Sequence, residues 1–294
     1  LISTKTNEFY IIKQSLKNKT MSKVIFITGA SKGFGKLWAE AFLKTDYKVI
    51  ATARNTDALQ DLVAIYGDAI LPLKLDVNNR QEVFTVIDKA SSHFGKIDVL
   101  INNAGYGLFG TAEETTETQA REQMETNFFG SLWVAQAILP VFRTQKSGHL
   151  IQISSFLGLT TLPMLGLYNA SKFAVEGLVE SIASEVAHLG IKTTLIEPNG
   201  FATDWSGASA IQTSADIADY DVIRKAFSEV GTDASSWGKP EATVQPVLDL
   251  VNNENPPLRL LFGKVAYKTM KEVYAKRLQE VENWKEVSIA AHGH

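Results

Sequence analysis

Short apolar runs alternate with longer amphipathic segments over most of the chain. Val24–Thr28 is an apolar run that ends in glycine, the pattern of a buried strand. Similar runs recur at Tyr47–Ala53, Ile70–Leu75, Asp98–Ile101, His149–Ser154 and Lys192–Ile196. Between them the apolar positions fall at helical spacing, over Gly33–Lys44, Asp57–Tyr66, Arg80–Phe94, Thr118–Arg143 and Tyr168–His188. In Arg80–Phe94, for example, Val83, Phe84, Val86, Ile87 and Ala90 share one side. Strands joined by helices of this length pair in parallel, because each crossover carries the chain back to its starting edge. The predicted fold class is therefore α/β: a single-domain, doubly wound parallel sheet in a three-layer α/β/α sandwich of Rossmann type.

The regular alternation stops near Pro198. Residues Asp204–Gly238 mix small polar residues with Trp205, Tyr220, Phe227 and Trp237, and are read as a substrate-binding segment. Leu258–Phe262 and Val265–Trp284 are the expected last strand and last helix. The domain is expected to run from Met21 to His294. Residues 1–20 carry Lys5, Lys13, Lys17 and Lys19 around the short apolar patch Phe9–Ile12, and are expected to be a disordered or non-native extension.

The 294 residues, 45% of them hydrophobic, suffice for one large core. A net charge of −3 gives no basic excess for nucleic acid. The chain has no cysteine, so disulfides, thiol nucleophiles and thiolate metal sites are excluded; a reducing, cytoplasmic setting is expected. The five histidines show no ligand spacing beyond the terminal pair His292 and His294, which is read as a frayed tail, and no metal is expected. No apolar run approaches a membrane span.

Chemistry concentrates in two places. Thr28-Gly29-Ala30-Ser31-Lys32-Gly33-Phe34-Gly35 joins the first strand to the first helix. Glycines there let the backbone turn sharply and approach a pyrophosphate, while the helix start offers free N–H groups. The spacing is G-x-x-x-G-x-G, not G-x-G-x-x-G. An NAD-preferring site places an acid at the end of the second strand, but here that strand ends Ala51-Thr52-Ala53-Arg54. Arg54 and Lys32 are cations suited to a 2′-phosphate, so NADP is favoured, with NAD the alternative.

The second place is Tyr168-Asn169-Ala170-Ser171-Lys172, which sets a phenol and an ammonium on one helix face. Alone, such a pair is a common surface arrangement. Its chemical meaning is that a cation favours the phenolate. At about 4 Å and an effective dielectric of about 20 the attraction is roughly 4 kcal/mol, or roughly three pKa units.

With these motifs together, the chain resembles the short-chain dehydrogenase/reductase family in its ordinary, non-extended branch. The resemblance runs from about Lys23 to at least Trp205 and includes Asn102-Asn103-Ala104-Gly105, Asn127, Ser155 and Pro198–Thr203. It implies an oxidoreductase passing a hydride between a nicotinamide and an alcohol or carbonyl carbon. Tyr168 would be the acid/base, Lys172 would hold the nicotinamide ribose and lower the tyrosine pKa, and Ser155 would hydrogen-bond the substrate oxygen, with Ser154 as runner-up. Asn127 would organise a water in a relay from Lys172. Asp76 and Val77 would meet the adenine side, and Asn103, Ala104 and Gly105 would support the cofactor. Pro198, Phe201 and Thr203 would meet the carboxamide end.

One departure is Pro198-Asn199 where the family usually has Pro-Gly; asparagine tolerates positive φ better than most residues. Phe156, Leu157, Leu159, Leu162, Met164, Leu165 and Leu167, with Leu108, Phe109 and Trp205, would form an apolar wall for a hydrophobic alcohol, ketone or aldehyde. The resemblance leans toward hydroxysteroid and retinol dehydrogenases. It also implies a homodimer or homotetramer through the helices at Thr118–Arg143 and Tyr168–His188. The rival reading is a dinucleotide-binding regulator of the same fold without turnover.

Overall fold

The computed structural model describes residues 22–203, 205, 210–230 and 237–293. The expectations for residues 1–20 and for parts of the 204–238 segment lie outside these. The strands are β1 (Val24–Ile27), β2 (Lys48–Ala53), β3 (Ile70–Lys74), β4 (Val99–Asn102), β5 (Leu108–Phe109), β6 (Gly148–Ile153), β7 (Ile191–Pro198), β8 (Ile211–Gln212) and β9 (Arg259–Phe262). The helices are α1 (Gly33–Lys44), α2 (Gln60–Tyr66), α3 (Arg80–Phe94), α4 (Glu117–Met124), α5 (Gly130–Gln145), α6 (Gly166–Val186), α7 (Asp221–Val230), α8 (Val244–Asn252), α9 (Lys264–Asn283) and α10 (Lys285–Ala290).

Seven strands form one parallel sheet in the order β3-β2-β1-β4-β6-β7-β9. Side chains alternate across it. Val24 and Phe26 enter a core with Val83 and Ile87 of α3, Val134 and Ile138 of α5, and Val175 and Val179 of α6. Ile25 and Ile27 enter the opposite core, with Trp38 and Phe42 of α1, Leu62 of α2, and Val247 and Leu250 of α8. Both faces of β1 are covered, which is why its sequence is apolar without alternation. Strand order reverses between β1 and β4, and the crevice beyond their carboxyl ends is where this class of sheet binds ligands.

Three departures from the sequence pattern have physical causes. The predicted helix Thr118–Arg143 is α4, a π-helical turn at Glu125–Phe129, and α5. Helix α8 was not anticipated: Pro246 interrupts its sequence, yet falls in the first turn, where an N–H has no intrahelical partner to lose. Strands β5 and β8, two residues each, pair in parallel through contacts distant in sequence. Pro72 in β3 is tolerated because β3 is the sheet edge.

Candidate active site

The loop after β1 is tied by hydrogen bonds to the end of β4 and the two residues that follow it. Thr28 Oγ1 donates to Asn102 Oδ1 (3.2 Å) and accepts from the Asn103 and Ala104 backbone N–H groups (2.8 and 3.0 Å). Asn103 Nδ2 donates to the carbonyls of Thr28 and Gly29 (3.0 and 3.1 Å). Gly29 and Gly33 have φ of +65° and +53°, a region that favours glycine. At Gly35 a Cβ would stand 2.4 Å from the Gly29 carbonyl oxygen, so a side chain there would displace the loop. Among the described residues no side-chain cap closes the start of α1, so its first N–H groups have no intrahelical partner. This backbone cradle fits a dinucleotide pyrophosphate.

A cleft of about 1650 Å³ runs from this loop across the sheet. Its wall includes Gly29, Ser31, Lys32, Gly33, Phe34, Arg54, Asp76, Val77, Asn103, Ala104, Gly105, Ser155, Tyr168, Lys172, Pro198, Phe201 and Thr203. Of the residues predicted from sequence, Thr28, Gly35 and Asn127 stand behind the wall. Some members of the wall also do structural work. Phe34 stacks on Trp38 (4.9 Å) and meets Phe201 edge-on (5.2 Å). Asp76 Oδ1 accepts from the Asn78 N–H (3.0 Å), closing a turn. Thr203 Oγ1 accepts from the Trp205 N–H (3.4 Å).

At the other end, α6 presents Tyr168 and Lys172 one turn apart, both buried. Lys172 Nζ donates to the Ile153 carbonyl at the end of β6 (3.0 Å) and lies 5.8 Å from the Tyr168 ring centre. Burial lowers the Lys172 pKa to about 8, against the raising influence of Glu176 one turn further on. Burial pushes the Tyr168 phenol well up, and a hydrogen bond with Ser155 partly offsets this. Desolvation is therefore the larger influence on this phenol. Ser155 Oγ also accepts from the Leu157 N–H (3.1 Å), whereas Ser154 Oγ is buried with no hydrogen-bond partner among the described residues.

Asn127 sits in the π-helical turn. Its Nδ2 donates to the Tyr106 carbonyl and to Ser171 Oγ (both 3.0 Å), and its Oδ1 accepts from the Tyr106 N–H (3.1 Å). Ser171 Oγ in turn donates to the Tyr168 carbonyl (2.7 Å). A point one bond from the Gly105 backbone is 3.1 Å from Asn127 Oδ1 and 3.8 Å from Lys172 Nζ, so the two groups face common space. Neither Ser171 nor Tyr106 carried a sequence signal, because their contribution depends on which groups the π turn brings near.

The Asn199 expectation is corrected. Its φ is not positive. Its Nδ2 donates to the Gly200 carbonyl (2.8 Å) and its Oδ1 accepts from the Ala266 N–H (3.4 Å), tying the end of β7 to the start of α9. The positive φ falls instead at Gly263 (+102°), where a Cβ would collide with this carboxamide.

The apolar walls beside Tyr168 come from Phe109, Leu157, Leu165 and Trp205. Trp205 lies 4.9 Å from the Tyr168 ring and 5.2 Å from Phe109. Gly107 makes room for it: a Cβ there would be 2.6 Å from Trp205 Cζ2. Phe227 of α7 extends the same wall.

A family model described as short chain dehydrogenase matches residues 23–214. Oxidoreductase BOA17 of Botryotinia fuckeliana (strain B05.10) is 38% identical over 279 residues, covering 92% of this chain and 100% of that protein. A 3-ketodihydrosphingosine reductase of Bacteroides thetaiotaomicron is 35% identical, covering 82% of this chain and 88% of that one. A solved short-chain dehydrogenase from Streptomyces avermitilis superposes with a TM-score of 0.85 at 34% identity, covering 92% of this chain and 98% of that one. The chain belongs to the short-chain dehydrogenase family. It is an oxidoreductase that transfers a hydride between a nicotinamide dinucleotide and an alcohol or carbonyl carbon. Among the described residues no helix is long and apolar enough to cross a membrane.

Proposed function

We propose that the enzyme is an NADP-favouring reductase or dehydrogenase of hydrophobic ketones, aldehydes or alcohols, with Tyr168 as its acid/base. The observation that carries this reading is one cleft with the glycine cradle at one end and Tyr168, Ser155 and Lys172 among apolar walls at the other. When bound, the dinucleotide supplies or accepts the hydride. Gly29, Ser31, Gly33 and the α1 N-terminus would hold its pyrophosphate, with Asp76 and Val77 toward the adenine and Asn103, Ala104 and Gly105 beneath it. Pro198, Phe201 and Thr203 would meet the carboxamide end. In the reducing direction Tyr168 Oη gives its proton to the substrate oxygen, and Ser155 Oγ donates a hydrogen bond to that oxygen. Lys172 holds positive charge near the phenol as its proton leaves. Asn127 would steady a water that returns a proton by way of Lys172.

NADP is favoured because Arg54 and Lys32 are exposed cations on the cleft wall, where guanidinium and ammonium suit a 2′-phosphate. Trp205, Phe109 and Phe227 favour a bulky apolar substrate, and the 204–238 segment is the proposed substrate-binding part of a single domain. A homodimer or homotetramer and a cytoplasmic location complete the proposal.

The test is titration with NADPH and NADH, followed by a panel of hydrophobic carbonyls read by loss of reduced-cofactor absorbance. Arg54→Asp should weaken NADPH at least tenfold and spare NADH. An unchanged NADPH/NADH ratio overturns the role of Arg54. Tight cofactor binding without turnover across the panel favours the regulator reading.

A further inference from the structure

Among the described residues, three other than glycine have a φ in the left-handed region: Asp46 (+62°), Lys146 (+54°) and Met164 (+66°). Asp46 and Lys146 are exposed polar residues just past α1 and α5, where helices ordinarily end in this conformation. Met164 has no such setting. It is apolar, half-buried and on the cleft wall, in the turn that leads into α6, four residues before Tyr168. Pro163 and Met164 form the middle of that turn. Proline suits the first of these positions, but a positive φ at the second ordinarily calls for glycine. A Cβ in this conformation crowds the carbonyl that follows it.

The surroundings impose the conformation. The Met164 carbonyl accepts from the Gly110 N–H (2.7 Å). The Leu162 carbonyl accepts from Asn169 Nδ2 (2.9 Å), and the Leu165 carbonyl from the Asn169 N–H (2.8 Å). Leu165 itself is buried against Tyr168. The turn is thus fixed to the stretch of α6 that carries the phenol. None of these contacts uses the Met164 side chain, so glycine would make the same turn without strain. What methionine adds is a side chain on the cleft wall, which it shares with Phe109, Tyr168, Trp205 and Phe227.

We propose that Met164 is a specificity-determining residue whose thioether chain bears on the apolar body of the substrate, beside the carbonyl that Tyr168 serves. The proposal rests on the reading of this cleft as a site for hydrophobic carbonyls, and it names a residue that makes it one. Strained backbone persists where the structure around it over-determines it, and it clusters at ligand-binding positions. Methionine is unbranched and flexible, so it conforms to a straight alkyl chain as readily as to a ring.

The test follows reduction of methyl ketones of increasing length, from butanone to decanone, by the full chain with NADPH. Wild-type KM should fall as the ketone lengthens, because each added methylene leaves water. Met164→Gly and Met164→Ala should both flatten that fall, raising KM for decanone relative to butanone by about fivefold or more. Met164→Leu, which keeps an apolar side chain, should preserve it. Melting temperature reads the strain separately. Both small variants lose the thioether, but only alanine keeps a Cβ at positive φ, so Met164→Gly should melt about 2–4 °C above Met164→Ala. A chain-length dependence that is the same in the wild type and in both small variants overturns the proposal, and so does equal melting of those two variants. A wild type without chain-length dependence, or without turnover of any ketone in the series, overturns the hydrophobic-substrate reading and this proposal with it.

Discussion

Lys172 is a cation held inside the protein at a cost, and replacing it with methionine should separate stability from activity. Burial lowers its pKa from the ordinary 10.5 to about 8. A gap of roughly 2.5 units corresponds to about 3 kcal/mol working against the folded state at pH 7. Against that stands the hydrogen bond to the Ile153 carbonyl (3.0 Å), whose loss leaves a buried acceptor and costs about 1–3 kcal/mol. Lys172→Met should therefore be as stable as the wild type at pH 7 or up to about 2 kcal/mol more stable. Turnover should collapse, because Lys172 carries a positive charge one turn from Tyr168, and a neighbouring cation favours the phenolate. The pH dependence distinguishes this account from simple packing. The folded pKa lies below the unfolded one, so the unfolded wild type binds more protons between about pH 8 and 10.5, and its stability rises with pH there. The variant does not share that rise. Urea unfolding at pH 7.0 and 9.5 should show the wild type gaining about 2 kcal/mol on the variant. A difference independent of pH would refute the reasoning.

Two further outcomes follow from the packing. Gly107→Ala places a Cβ 2.6 Å from Trp205 Cζ2 and 2.9 Å from Phe109 Cε2; it should displace Trp205 from Tyr168, change tryptophan fluorescence and raise KM for bulky apolar carbonyls about tenfold, roughly 1.4 kcal/mol, while NADPH affinity holds. Glu197 lies buried beside Glu176, with Arg259 between them, and burial together with the Glu176 carboxylate pushes its pKa up. A raised folded pKa contributes stability in acid that is lost as pH rises through it, so Glu197→Gln should gain on the wild type in melting temperature between pH 5 and pH 8. Parallel profiles would contradict the raised pKa.

Much of this arrangement is legible in the sequence because it rests on local rules. The alternation of apolar runs with helical spacing places every strand of the large sheet to within about two residues, an ordinary boundary uncertainty. The glycine loop is equally readable, since Gly29 and Gly33 occupy positive φ and Gly35 has no room for a Cβ. What escapes reading depends on distant partners. Apolar spacing does not separate an α from a π turn, so the segment around Asn127 looks like plain helix, and its contact with Ser171 needs α6 alongside. Asn199 resembles a turn residue in sequence, but its carboxamide acts across the fold on α9. Glu176, Glu197 and Arg259 are each unremarkable charges in the chain. Only the packing of β7, β9 and α6 brings them together behind Lys172.

The central claim is that Tyr168 handles the proton in hydride transfer, and Tyr168→Phe tests it most directly. Cofactor affinity, measured by NADPH titration, should stay within threefold of the wild type, since the glycine cradle and Lys172 are untouched. Turnover of any carbonyl the wild type reduces should fall by about 100-fold or more, the usual loss when a positioned acid is removed. Equal turnover by the wild type and the phenylalanine variant would contradict the account.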